Sequence, residues 1–139
     1  MDIVDLARLD LRYSSLQSVE YEVGRQFYGV LEGTLEGARL RGSVHLTNLA
    51  QGRPDGVNTP TLRGLLRTDD GVDVWMELDG LATLRPDDQA RVFVTTCRFR
   101  SGDAAYGWLD RTVGLLEGVL DTETGSARGL VYECRPTLP

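Results

Sequence analysis

The chain contains no lysine, and all 15 of its basic residues, from Arg8 to Arg135, are arginine. Codon bias in a GC-rich genome accounts for that skew, but its chemical consequence holds either way. Without a lysine there is no Schiff base, no pyridoxal-phosphate linkage and no P-loop lysine. Histidine occurs once, as His45, so a three-histidine zinc site is excluded. A Ser-His-Asp triad would have to be built on that imidazole without a G-x-S-x-G elbow to accompany it. The only cysteines, Cys97 and Cys134, are far apart and form no C-x-x-C pair. Zinc clusters are therefore excluded, and two thiols in a reducing compartment are expected rather than a disulfide. No standard metal- or nucleotide-binding set is left, and no cofactor is expected.

Long apolar runs are also missing. No stretch approaches the ~20 residues of a membrane-spanning helix, and the opening "MDIVDLARLD" is acidic where a signal peptide would be basic. A cytoplasmic location is the expectation. The net charge is -6, with arginines interleaved among acids throughout. Nucleic acid and anionic membrane surfaces, which require a clustered positive face, are thereby disfavoured as partners. With 139 residues, 41% hydrophobic and 26% charged, the composition is that of one globular domain over residues 1–139. A chain of this length buries about two-thirds of its unfolded surface.

What is abundant is alternation. In "VDVWMELDGL", Val72, Val74, Met76 and Leu78 share one face, and Asp73, Trp75, Glu77 and Asp79 share the other, the pattern of a half-buried strand. "RVFVTTCRF" sets Phe93, Thr95, Cys97 and Phe99 against Val92, Val94 and Thr96. Turn signals at Asp55-Gly56, Asp70-Gly71, Pro86-Asp87-Asp88, Ser101-Gly102 and Thr124-Gly125 punctuate the runs. The spacing predicts strands near residues 6–14, 19–31, 38–50, 60–68, 72–84, 90–100, 112–121 and 126–135. Eight antiparallel strands are enough to close a small barrel. Helix is scarce: "AAYGWLDR", residues 104–111, allows a turn or two, with Gly107 against it. Glycines 29, 33, 37 and 42 are read as bends and close approaches in a curling sheet.

The order "LEGTLEGARLRGSV", "RPDGVNTPTLRGLLRTDDGVDVWMELDG", "YGWLD" and "GLVYEC" resembles the bacterial and fungal domain-of-unknown-function family 3237, from about Leu6 to Arg135. The resemblance implies an all-β fold, a single antiparallel barrel that is calycin-like or allene-oxide-cyclase-like. It further implies a small protein often found as a homodimer, with no settled family activity. The family's recurrent polar positions fall on Arg53, Asp55, Gly56, Arg63, Thr68, Asp70 and Gly71, and on Tyr106, Trp108, Leu109 and Asp110. Asp110 stands where the family usually has asparagine, which adds a titratable group.

These residues supply the candidate site, each with a plainer alternative. Arg63, in "TLRGLLRT", is either an outward side chain snorkelling over apolar neighbours or an inward guanidinium that must be paired or await an anionic or carbonyl-bearing ligand. Asp55 and Asp70 are turn residues or partners of Arg63 at the barrel mouth, with Arg53 beside them. Tyr106 and Trp108 line one end of a cavity or cap the core. His45 is solvated on a polar strand face or, on a face lining the barrel, is the natural proton shuttle. In the functional reading Arg63, Tyr106, Asp110 and His45 are catalytic, and Arg53, Asp55, Asp70, Trp75 and Trp108 bind ligand.

Three functions suit such a chain. One is a cofactor-independent isomerase or cyclase that orients a small organic molecule in a dry cavity and polarises one carbonyl. Another is a barrel that binds a small ligand without converting it. A third is an oligomerising interaction module whose core is filled by side chains. Cavity volume separates the third from the others, and turnover separates the first from the second.

Overall fold

The computed structural model describes residues 1–139, and they form one closed, antiparallel β-barrel. Its strands are β1 (Asp2–Tyr21), β2 (Gly24–Glu36), β3 (Gly42–Asn48), β4 (Gln51–Gly52), β5 (Asn58–Thr59), β6 (Thr61–Thr68), β7 (Asp73–Leu84), β8 (Arg91–Arg100), β9 (Val113–Asp121) and β10 (Ser126–Arg135). Eight of them make the wall, in the order β1-β10-β9-β8-β7-β6-β3-β2, and β2 pairs back onto β1. Closure depends on the length of β1. Its first half pairs with β10, from Asp2 opposite Arg135 to Arg12 opposite Ser126, and its second half pairs with β2 as far as Tyr21 opposite Gly24. The short β4 and β5 bridge β2 to β7 at one end of the wall.

From β6 onward the strands agree with the sequence expectation to within one residue, because each is bounded by turn residues. Gly71 and Gly125 adopt φ of 85° and 73°, the left-handed region that glycine enters without steric cost. The first three strands differ. β1 runs through Tyr13-Ser14-Ser15 by a bulge in its pairing with β2, where the polar cluster reads as a strand end. The chain reverses later, at Glu22-Val23. The expected close approaches are present: a Cβ on Gly33 would lie 1.8 Å from the carbonyl oxygen of Asp10.

Alternation sorts the side chains. Leu62, Leu66, Val74, Met76, Leu78, Cys97 and Phe99 are buried inside the barrel with Leu9, Leu35, Leu46 and Val131. These leucine-rich contacts fill one half of the interior. That end is plugged by a 3₁₀ helix, Ala104–Arg111, capped by Asp103, whose side chain accepts from the Ala105 N–H. Leu109 of the plug is fully buried. Tyr106 and Trp108 pack against the same cluster, and the Arg39 guanidinium lies 3.9 Å from the Trp108 ring centre. Both cysteines are free. Cys97 is sealed in the core and Cys134 is half-buried, opposite exposed Val113.

Candidate functional site

The other half of the barrel is hollow. At the end formed by the C-terminal halves of β1 and β9, the starts of β2, β6, β8 and β10, and the β4–β5 bridge, the inward side chains leave a cavity of about 260 Å³. Twelve of its 19 lining residues are hydrophobic, among them Leu11, Leu16, Phe27, Leu31, Leu62, Phe93 and Leu116. Two glycines make room for its aromatic walls. A Cβ on Gly29 would lie 2.5 Å from Cε1 of Tyr13, and one on Gly118 would lie 2.2 Å from Cζ of Phe93.

Six polar side chains stand in this apolar lining, Asn58 and Thr122 among them, and the hydrogen bonding of the other four bears on a ligand. Asn48 Oδ1 accepts from the Thr61 N–H at 3.2 Å, which turns the amide nitrogen toward Tyr13, and Nδ2 donates to the Tyr13 hydroxyl oxygen at 2.9 Å. The phenol thus accepts from Asn48 and keeps its own proton to donate. Burial raises the Tyr13 pKa above the usual phenol value, the Asn48 hydrogen bond offsetting part of the rise, so the group is neutral at physiological pH. Thr95, 2% exposed, has a buried Oγ1 with no hydrogen-bond partner. Such an unsatisfied hydroxyl costs about 1–3 kcal/mol, a cost that a ligand atom bonded to it would remove.

The fourth is Arg91, first residue of β8 and on the same face as Phe93 and Thr95. Its Nη1 donates to the carbonyls of Gly56 at 2.6 Å and Ala82 at 3.3 Å. Partial burial lowers its pKa from the usual guanidinium value, but a guanidinium keeps its proton in proteins. No carboxylate lies within salt-bridge distance, whereas ten other arginines have such a partner. Arg91 and Tyr13 are the only titratable residues lining the cavity.

The sequence-selected residues lie elsewhere. Leu62 and Leu66 face inward, so Arg63, one residue out of phase, faces outward; its guanidinium bonds Asp79 at 3.0 and 3.2 Å. His45 is on the outer face of β3 with Glu32 3.5 Å away, and Trp75 is outward on β7, donating from Nε1 to Glu77. Tyr106, Trp108 and Asp110 belong to the plug at the far end, where Asp110 accepts from the Ser101 N–H at 2.8 Å. Asp70 accepts from Thr68 and from the Tyr106 hydroxyl, and these bonds, Thr68 first, lower its pKa. This group ties a turn to the plug and has no access to the cavity. Arg53 and Asp55 pair with each other in a surface loop. Arg53 lines a depression that shares Phe27, Asn58 and Arg91 with the cavity mouth. Of the nine candidates it alone adjoins the hollow.

The residues that do line the hollow had weak signals. Thr95 is the one polar member of an otherwise apolar inward set, and extending that alternation one step upstream of Phe93 reaches Arg91. Tyr13 and Asn48 sit in segments whose ends the turn chemistry did not define.

Residues 6–134 match the model of the family described as "Protein of unknown function (DUF3237)". The chain belongs to this family. The family's barrel recurs in solved structures at low identity. A beta-barrel like protein from Acinetobacter baumannii is 19% identical, with 96% of each chain covered and a TM-score of 0.85. A conserved protein of unknown function from Rhodopseudomonas palustris is 18% identical, covering 95% of this chain and 96% of its own, at 0.83. An enzyme from Penicillium herquei is 17% identical, covering 95% and 94%, at 0.71. A search of curated proteins finds no match.

Proposed function

We propose that this family member holds a small, mostly apolar organic molecule in the hollow half of its barrel and isomerises or cyclises it without a cofactor. The observation that carries the reading is the apolar cavity of about 260 Å³ containing a fixed phenol donor at Tyr13 and an unsatisfied hydroxyl at Thr95. Walls of Leu62, Phe93 and Leu116 hold a flexible molecule in one folded shape. Tyr13, oriented by Asn48, donates to a carbonyl or ether oxygen as negative charge develops there. The lining has no carboxylate or imidazole, so catalysis rests on orientation and oxygen polarisation. The same absence of a base favours a second reading, a barrel that binds its ligand and leaves it unchanged. The likeness to an enzyme from Penicillium herquei supports the catalytic reading.

The test is a mass-neutral conversion. Metabolite extract from the producing cell, incubated with the protein, should yield a product isomeric with its precursor by liquid chromatography and mass spectrometry. Tyr13→Phe, which keeps the ring and loses the donor, should slow it by roughly 10²-fold or more. A molecule retained in native mass spectrometry but never converted would leave plain binding. No retained molecule and no conversion would defeat both readings.

A further inference from the structure

We infer that the molecule held in the cavity is a monocarboxylate whose anionic end sits at the mouth on Arg91 while its apolar body fills the barrel, an inference that rests on the cavity reading above. Charge at the rim points to a single negative group. The chain as a whole is strongly acidic, at -6, yet the mouth and its adjoining depression carry Arg25, Arg53 and Arg91. Glu20 pairs with Arg25 and Asp55 with Arg53, which leaves Arg91 as the uncompensated charge. The geometry of its guanidinium specifies a planar partner. Both hydrogen bonds to protein leave from Nη1 and end on backbone carbonyls, so the chain is fixed in place while the edge formed by Nε and Nη2 has no protein acceptor. That edge presents two parallel N–H donors, the arrangement that binds a carboxylate through both oxygens. Position completes the argument. Arg91 shares the inward face of β8 with Phe93 and Thr95, so a carboxylate bound there directs the rest of the molecule down the barrel toward Thr95 and Tyr13.

A matched pair of probes, trans-cinnamate and its uncharged amide, tests this by calorimetric titration. Wild-type protein should bind cinnamate roughly ten- to a hundredfold more tightly than cinnamamide, the range for hydrogen bonds to charged groups. Arg91→Met, which keeps the apolar stem, should abolish that preference while binding of the amide persists. Arg91→Lys, which keeps the charge and loses the fork, should retain a smaller preference and guards against a folding defect in the Met variant. Arg63→Met should leave both affinities unchanged. Equal binding of both probes by wild type, with both lost in the cavity-filling Thr95→Phe, would overturn the carboxylate inference and keep the cavity. Failure of both probes to bind, or binding indifferent to Thr95→Phe, would overturn the cavity reading and this inference with it.

Discussion

Cys97 is fully buried between Leu78 and the inner face of β9, and burial lifts its thiol from an ordinary 9.0 to about 12. Below pH 9 the folded and unfolded chains both hold this proton, and the group has no effect on the pH dependence of folding. Between pH 9 and about 12 the unfolded chain ionises and the folded chain does not, so stability falls as pH rises. The single-site limit of that slope is about 1.4 kcal/mol per pH unit. Tyr13, also raised by burial, adds a loss of the same sign above the ordinary phenol value. Urea unfolding at pH 8, 9.5 and 10.5 should therefore show a decline that is shallower in Cys97→Ala by close to one proton. Parallel curves for the two proteins would mean that the thiol ionises without unfolding.

At the scale of single elements, two strands depend on an inward residue with no side chain. Gly29 on β2 leaves the space that the Tyr13 ring fills, and Ala at that position would press on the ring and on Leu16. Gly29→Ala should cost about 1–3 kcal/mol, the usual penalty for overpacking, and should weaken cinnamate binding because the displaced phenol narrows the cavity. Thermal melts and titration of one preparation check both effects. Elements also decide how much the sequence discloses. β6 to β10 are legible because alternation agrees with the turn signals between them, Asp70-Gly71, Pro86-Asp87-Asp88, Ser101-Gly102 and Thr124-Gly125. β1 and β2 are obscured because Ser14-Ser15 resembles a terminus, while the real reversal, Glu22-Val23, has the composition of a strand. A shifted end need not alter which residues share a face, and Val74, Met76 and Leu78, grouped on one face by alternation, are all fully buried.

Across the whole molecule, the barrel has a solid half and a hollow half, and no local stretch of sequence announces which is which. The site is assembled from one residue each on β1 and β3 and two on β8, Tyr13, Asn48, Arg91 and Thr95, each ordinary in its own surroundings. The stretches that attract notice, Asp55-Gly56, Asp70-Gly71 and Tyr106 to Asp110, are turns and a plug. The arginine that the sequence singled out, Arg63 on β6, faces outward, and the arginine of the cavity, Arg91 on β8, is one that sequence reasoning did not select. The same division governs stability. Amides of β7, β8 and β9 beside the packed half should exchange hydrogen only through global unfolding. Those of residues 17–28, in the hairpin where β1 pairs only with β2, should exchange first. Mass-resolved exchange showing uniform protection would contradict this. The plug gives the hollow half one further property. With Leu109 sealing the far end, whatever enters at Arg91 must leave past Arg91, so the barrel is a blind tube with a single doorway. On the catalytic reading proposed above, starting material and product share that space and exclude one another, and added product should raise the apparent KM without lowering kcat. A fall in kcat with added product would require a second site that binds product while the cavity is occupied.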